Sequence, residues 1–200
     1  MLVIPELPRG LVRHTEPLVD FLRRPYTEDN PYYLFQHDLL ESMPELQGFF
    51  REPEAIPEFP GRPIVSVGKD GSGLPFHEHA QTWSDLAIGR KRWALYHATQ
   101  HPLPKQGFSP METQVQWLLG ANYTDLTEAE RPLECIQEPG DVVYLPDGWL
   151  HATVSIGPTV AFTRNSYDST VLSPPLGHYY HLDQFAIAVG KNEELPALKA

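Results

Sequence analysis

The chain has 200 residues, of which 41% are hydrophobic and 20% are charged, and these values are typical of one globular domain with a sizeable core. Its 26 acidic and 15 basic residues give a formal net charge of −11, which argues against a protein that binds nucleic acid electrostatically. The single cysteine, Cys135, excludes an internal disulfide and any cysteine-based zinc site, and no apolar run approaches the roughly 18 residues of a membrane-spanning helix.

The first 62 residues carry weak signals and are predicted to support the part of the chain that follows. The apolar residues Leu18, Val19, Phe21 and Leu22 after Thr15 predict a short capped helix that ends near Arg24. The aromatic run 32–35 predicts an edge strand, and the proline-rich residues 51–62 predict an extended connector.

From residue 63 onward, short apolar runs between turn residues predict a series of strands. The expected elements are a strand at 63–68, a turn at 69–73, a strand from His77 to Trp83, and a hairpin of 85–89 and 91–96 around Gly89. Residues 97–132 are predicted to be an insertion with a short amphipathic helix. The core residues expected on that helix are Met111, Val115, Leu118 and Leu119, with Trp117 beside them.

Four more short strands follow, separated by Pro-Gly, Pro-Asp-Gly and Gly-Pro turns. They are expected at 133–137, 142–145, 151–156 and 160–165. Evenly spaced short strands with such turns are typical of a β-sandwich or jelly roll. Residues 182–190 predict a C-terminal helix with a glycine stop. The pattern predicts a mainly β fold with three regions: a helical and extended support at 1–62, a barrel at 63–170, and a helical tail at 171–200.

Three histidines are candidates for chemistry. His77 and His79 stand two positions apart, and such positions of a strand point to the same face. His151 follows a Pro-Asp-Gly turn at the start of an apolar strand. A lone histidine on an apolar strand is usually a core residue, but three imidazoles on rigid strands suit a divalent transition metal. The set therefore predicts a metal site made of His77, His79 and His151.

Lys91 shares one face of its predicted strand with Trp93 and Leu95. If that face points into a barrel, the ammonium group needs an anionic partner. If the strand ends there, the side chain reaches water along its aliphatic stem. The residues alone leave both alternatives open.

Four stretches of the sequence together carry a family resemblance. They are His77 with His79, Gly89–Tyr96, Gly140–His151 and Phe162–Asn165. In them the chain resembles the JmjC (Jumonji) branch of the cupin superfamily, and most of all the small proteins that consist of a JmjC domain alone. The resemblance covers about residues 60–170 well and the N-terminal part weakly. It implies a double-stranded β-helix, a cupin-like jelly roll, that binds iron(II) and 2-oxoglutarate and hydroxylates a protein or another substrate.

The resemblance also implies roles for individual residues. His77 matches the first histidine ligand of the family and His151 the last. Lys91 matches the lysine that pairs with the distal carboxylate of 2-oxoglutarate, and Asn165 matches an asparagine that lines the same pocket. His79, however, stands where the family has a carboxylate. An imidazole there raises the net charge of an iron(II) site by one unit, and three-imidazole sites also bind zinc, nickel or copper.

Two nearby positions bear on this departure. Glu78 faces the opposite side of a regular strand, and only a bulge would bring its carboxylate round to the metal. Leu74 stands near where many relatives place a hydroxyl residue on the co-substrate, and Ser72 is the candidate to substitute for it.

Three hypotheses follow. The first is a JmjC-type oxygenase dependent on iron(II) and 2-oxoglutarate, in which three histidines hold the metal and Lys91 anchors the co-substrate. The second, motivated by the altered triad and the short chain, is a catalytically inactive binding or structural component of an assembly. The third is a cupin isomerase or a dioxygenase that needs only a metal. The sequence identifies neither the substrate nor a partner subunit.

The compartment stays open between two expectations. The stretch Met1–Pro5 is too short to be a signal peptide, which favours a soluble interior protein, although a processed or incomplete N-terminus is compatible with the sequence. The resemblance and the glycosylation acceptor triplet that begins at Asn122 favour the endoplasmic-reticulum lumen instead.

Overall fold

The structure is a computed structural model that describes residues 2–3, 13–14, 17–23, 33–36, 39–56, 58–74, 76–97, 114–166 and 189–191. Its strands are β1 (Leu2–Val3), β2 (Arg13–His14), β3 (Leu34–Gln36), β4 (Ile64–Gly68), β5 (Thr82–Tyr96), β6 (Leu133–Gln137), β7 (Asp141–Leu145), β8 (Leu150–Asn165) and β9 (Val189–Lys191). Its helices are α1 (Leu18–Arg23), α2 (Leu39–Ser42), α3 (Gln114–Leu119) and α4 (Ala121–Thr124), with 3-10 helices at Pro44–Phe49 and Glu128–Glu130.

The strands pair in antiparallel fashion wherever the structure describes a pair. β1 pairs with β2, while the main sheet has the order β3-β4-β8-β5-β7-β9, with β6 attached to β5. The predicted mainly β fold with a few short helices is confirmed. The strand expected near residues 32–35 is β3, which pairs with β4 at the edge of this sheet.

β5 and β8 are single long strands where the sequence predicts four shorter ones. They pair with each other from Thr82 opposite Asn165 at one end to Tyr96 opposite Leu150 at the other. Each strand therefore runs through two parts of the sheet. Because side chains alternate between the faces, each strand carries one long row of side chains on each face.

The predicted hairpin at Gly89 is wrong. Gly89 has a φ of 87° and lies in an irregular part of β5, where the register with β8 shifts between Leu86 and Arg90. A Cβ atom on Gly89 would lie 2.1 Å from the carbonyl oxygen of Pro158. A glycine with positive φ serves a β-bulge as well as a turn, so this signal does not separate the two.

The strand predicted from His77 to Trp83 begins only at Thr82. Two glycines and a proline within residues 71–75 disfavour a regular ladder. The segment instead follows β8 as irregular extended chain, with backbone hydrogen bonds to it at Gly71, Ser72, Leu74 and His77.

β7 is buried on both of its faces and separates two apolar clusters. Val142 and Tyr144 point to one cluster, and Val143 and Leu145 point to the other, because successive side chains alternate. The second cluster also contains Trp93 from the far half of β5, although β7 pairs only with the first residues of that strand. The sheet is therefore rolled. We call the face that carries Trp93 the inner face.

The other face of the near half of β5 is covered by the segment that runs from α2 to residue 59. Phe50 packs against Trp83 and Phe162, with ring centroids 5.9 Å apart in both cases. Arg164 pairs with the carboxylate of Glu52 at 2.6 Å. The same cluster contains Leu40, Ile56 and Phe59. The N-terminal part of the chain thus closes the outer face.

Two expected helices differ from the structure in part. The insertion helix is present as α3 and buries Trp117, but Leu119 is 78% exposed, so its assignment to the core is wrong. Met111 lies outside the described residues. Of the tail helix expected at 182–190, residues 182–188 also lie outside them, and the last two residues belong to β9. None of the described helices is long and apolar enough to cross a membrane.

Candidate metal centre

The segment before β5 and the start of β8 bring the three histidines together. The N–H group of His77 donates to the carbonyl of His151 at 3.0 Å, and the reverse bond measures 2.9 Å. The carbonyl of His79 accepts from the N–H group of Gly148 at 3.2 Å. Backbone hydrogen bonds, and not side-chain packing alone, therefore fix the main-chain positions from which the three imidazoles project.

The rings of these residues converge on a common point. The centroid of His151 lies 4.1 Å from that of His77 and 4.7 Å from that of His79, and the other two centroids are 5.4 Å apart. One nitrogen from each ring lies within 4.8 Å of the others. Nitrogens bound to one metal at about 2.1 Å lie about 3 Å apart, so a bound ion would draw the three nitrogens closer together. The predicted meeting of the rings is thus present, while their role as ligands stays a prediction.

Two backbone carbonyls select the tautomer of two of these rings. Nδ1 of His79 lies 2.7 Å from the carbonyl oxygen of Ala80, and Nδ1 of His151 lies 2.8 Å from that of Trp149. A carbonyl only accepts, so Nδ1 carries the proton in both rings. Nε2 is then left with a lone pair, as a metal ligand requires.

The surroundings also favour the neutral form of the imidazoles. Burial lowers the pKa of His151 well below its usual range, and the neighbouring rings of His77 and His79 lower it further. Burial lowers the pKa of His79 as well. Neutral rings at physiological pH need not lose a proton before they bind a cation.

No carboxylate belongs to this group within the part of the chain that the structure describes. Glu78, whose approach would need a bulge, is not among the three grouped residues, and His79 is. The thiol of Cys135 packs beside the inner cluster, and burial raises its pKa to about 11, so it offers no thiolate at neutral pH. The donor set is three nitrogens, which suits iron, zinc, nickel or copper.

Lys91 lies on the inner face with only 3% of its surface exposed. Its ammonium group donates to the hydroxyl of Tyr33 at 3.1 Å. No ion pair to it is present among the described residues. A buried cation with one neutral partner is costly, so this group calls for an anion. Of the two alternatives left open for Lys91, the inward one is therefore correct.

Trp93 links the lysine to the histidines. Its ring lies 6.0 Å from the ammonium nitrogen of Lys91, and its ring centroid lies 6.0 Å from that of His151. Its indole N–H group donates to the side chain of Gln137 at 2.9 Å, which fixes the ring. The indole therefore lies between the ammonium group and the imidazole of His151.

The two remaining predicted site residues differ in what they offer. Asn165 lies opposite Thr82, and its buried Oδ1 has no hydrogen-bond partner within the described ranges. A rotation of the side-chain amide by 180° exchanges its oxygen and nitrogen, and the two orientations are distinguished only by their hydrogen bonds. The buried position is therefore equally open to the amide nitrogen. The hydroxyl of Ser72 accepts from the N–H group of Lys69 and donates to its carbonyl, so both functions serve the turn.

Sequence reasoning missed Tyr33. It precedes the edge strand β3 and is 2% exposed, and its hydroxyl is the partner of Lys91. No local signal marks it, because an aromatic residue before an edge strand is equally suited to plain packing.

The chain is similar to several known proteins. A family model described as a cupin-like domain matches residues 11–170. JmjC domain-containing protein 8 of Rattus norvegicus is 33% identical over 132 residues, which cover 66% of this chain and 47% of that protein. The 2-oxoglutarate and iron-dependent oxygenase JMJD4 of Gallus gallus is 31% identical over 108 residues, which cover 51% of this chain and 25% of that protein. The solved ribosomal oxygenase YcfD of Escherichia coli has 16% identity and a TM-score of 0.43, over 81% of this chain and 38% of that one. The chain spans less than half the length of these relatives.

Proposed function

We propose, from the premise that the chain belongs to the JmjC branch of the cupin-like family, that it is an oxygenase dependent on iron(II) and 2-oxoglutarate. Its reaction would be the hydroxylation of a protein or of a small molecule. The proposal is supported by three convergent imidazoles and one buried lysine on the inner face, a lysine that has no ion pair among the described residues.

The residues fit the absent groups by their chemistry. His77, His79 and His151 would hold the metal through ring nitrogens, and three protein ligands leave other coordination positions free. When bound, iron(II) with 2-oxoglutarate and dioxygen supplies the oxidation of a C–H bond to C–OH, and 2-oxoglutarate leaves as succinate and carbon dioxide. The protein contributes position, charge and exclusion of water.

Lys91 would bind the distal carboxylate of the co-substrate by a charge-assisted hydrogen bond. The hydroxyl of Tyr33 already lies 3.1 Å from the ammonium group and would hold it toward that carboxylate. Asn165 would donate from its amide nitrogen to the same acid. We assign no co-substrate contact to Ser72, since its hydroxyl is engaged in the turn.

The alternative is a protein of the same fold that binds partners without turnover. His79 in the carboxylate position favours it, because the site then lacks the negative charge that the family places on iron(II). Such a protein would still bind a metal, or would keep the barrel as a docking surface.

The deciding experiment measures metal content and succinate release on the same preparation. Protein purified without chelator is assayed for metal by elemental analysis and, after loading with iron(II), is incubated with 2-oxoglutarate and oxygen. We expect about one metal per chain and succinate above the rate of a matched His151→Ala preparation. Metal without succinate and without binding of 2-oxoglutarate would favour the binding protein instead.

A further inference from the structure

A carboxylate lies in the loop next to the candidate metal centre, although no carboxylate belongs to the three grouped residues within the described part of the chain. Asp147 occupies the Pro-Asp-Gly turn before β8, and its Oδ1 accepts from the N–H group of Gln81 at 2.7 Å. Gln81 stands two residues after His79. The neighbouring N–H group of Gly148 donates to the carbonyl of His79. The two loops are therefore joined at His79 itself and again two residues after it.

The charge of Asp147 also bears on the ring of His79. Burial lowers the pKa of His79, and the carboxylate of Asp147 opposes that shift. Burial raises the pKa of Tyr144, and Asp147 raises it further. Tyr144 in turn donates its hydroxyl to the side chain of Gln81 at 2.9 Å, so the loop has a second anchor.

The carboxylate of Asp147 bears on the net charge of the proposed metal site. Three neutral imidazoles leave a divalent cation with its full charge, whereas a set with one carboxylate removes one unit. Coulomb interactions are stronger in partly buried surroundings, where the effective dielectric constant is about 20, than in water. A carboxylate next to the ligands therefore replaces part of the negative charge that is lost when His79 stands in the carboxylate position of the family.

We propose that Asp147 supplies, from outside the ligand set, the negative charge that His79 withholds from the metal. It is a positioning residue, since it acts through the loop and the field and does not touch the metal. This inference rests on the proposed function, because it presupposes that the histidines bind a divalent cation.

The test separates charge from loop geometry with two variants. Asp147→Asn keeps an oxygen that accepts from Gln81 and removes the charge, whereas Asp147→Ala removes both. Anaerobic titration with cobalt(II), followed by visible absorption, gives the affinity, and the melting temperature of the metal-free protein reports the loop. For Asp147→Asn we expect an affinity about tenfold or more below that of the wild type, with little change in melting temperature.

Asp70→Asn is the matched control. Asp70 also accepts a backbone hydrogen bond across a turn, from Gly157 at 2.7 Å, and its loss changes the net charge of the chain by the same amount. We expect it to bind cobalt(II) like the wild type. Wild-type affinity in Asp147→Asn, or an equal loss in Asp70→Asn, would overturn this inference and leave the proposed function intact. A wild-type chain that binds no cobalt(II) would overturn both.

Discussion

The inner face carries the histidine cluster at one end and Lys91 at the other, and the two groups differ in how their polar atoms are paired. At one end, His79 and His151 already have hydrogen-bond partners that select their tautomers, and burial keeps them neutral. At the other end, Lys91 is buried with the hydroxyl of Tyr33 as its partner and with no countercharge in the described part of the chain. Under the proposed function, the first end would bind a cation and the second an anion.

The difference follows from one pair of strands. His151 stands opposite Leu95, and Ser155 stands opposite Lys91, so both ends lie on the same rows of β5 and β8. Trp93 lies between them on β5. Mutation can therefore remove the function of either end separately.

The largest effect is expected from His151→Ala, which removes the most buried of the three imidazoles. Metal content should fall from about one per chain to near zero, measured by elemental analysis of protein purified without chelator. His97→Ala is the control, because His97 packs against Trp149 but is not one of the grouped histidines. Full metal content in His151→Ala would exclude that residue from the site.

At the other end, Lys91→Met should lower the affinity for 2-oxoglutarate by about 10- to 100-fold, because a hydrogen bond to a charged group contributes about 1.5–3 kcal/mol. Metal content should not change. Stability to urea should stay the same or rise, since the variant removes a buried charge. Calorimetric titration of the metal-loaded protein measures the affinity. Lys69→Met is the control, because Lys69 contacts Phe21 away from the inner face. An unchanged affinity would remove the organic acid from this end.

The extended segment that carries His77 can be displaced without touching a ligand. A Cβ atom on Gly73 would lie 1.9 Å from the carbonyl oxygen of Thr153, so Gly73→Ala forces this segment away from β8. We expect a loss of about 1–3 kcal/mol in unfolding free energy, measured in urea, together with weaker metal binding. Gly48→Ala, where nothing lies within 4 Å of the new atom, is the control. Wild-type affinity in Gly73→Ala would show that the segment does not position the metal site.

The smallest effect concerns pH in the metal-free protein. The pKa of His151 is lower in the folded chain than the value of about 6.5 expected when unfolded. Below pH 6.5 the unfolded chain therefore binds one proton more than the folded chain. As the pH is lowered, the free energy of unfolding decreases by up to about 1.4 kcal/mol per pH unit, until the pH reaches the pKa of His151 in the folded chain. Above pH 6.5 this contribution is constant. Urea unfolding in chelator at pH 7.5, 6.5 and 5.5 should give a steeper decline for the wild type than for His151→Ala. Parallel curves would contradict the expected shift.

Much of the fold was open to prediction because its signals are local. Strands β4, β6 and β7 lie close to their predicted positions, since alternating apolar residues and flanking turn residues mark short strands well. The histidine cluster followed from spacing and from a resemblance.

What escaped prediction depends on long-range pairing. Gly89 supports a bulge and not a hairpin because β8 runs alongside it, a fact that no local pattern contains. Leu119 keeps helical spacing yet is exposed, because spacing gives a face and not what covers it. Tyr33 meets Lys91 across 58 positions of the chain, and only the folded sheet brings them together.

The covering of the outer face has a practical consequence for truncation. A shortened protein that starts at the barrel would lose Phe50 and Phe59, and Trp83 and Phe162 would then face water. It would also lose Tyr33, whose hydroxyl contacts Lys91 on the inner face. The polypeptide ahead of the barrel is thus part of the smallest unit worth expressing, since it shields one surface of the strands and furnishes a hydroxyl to the other.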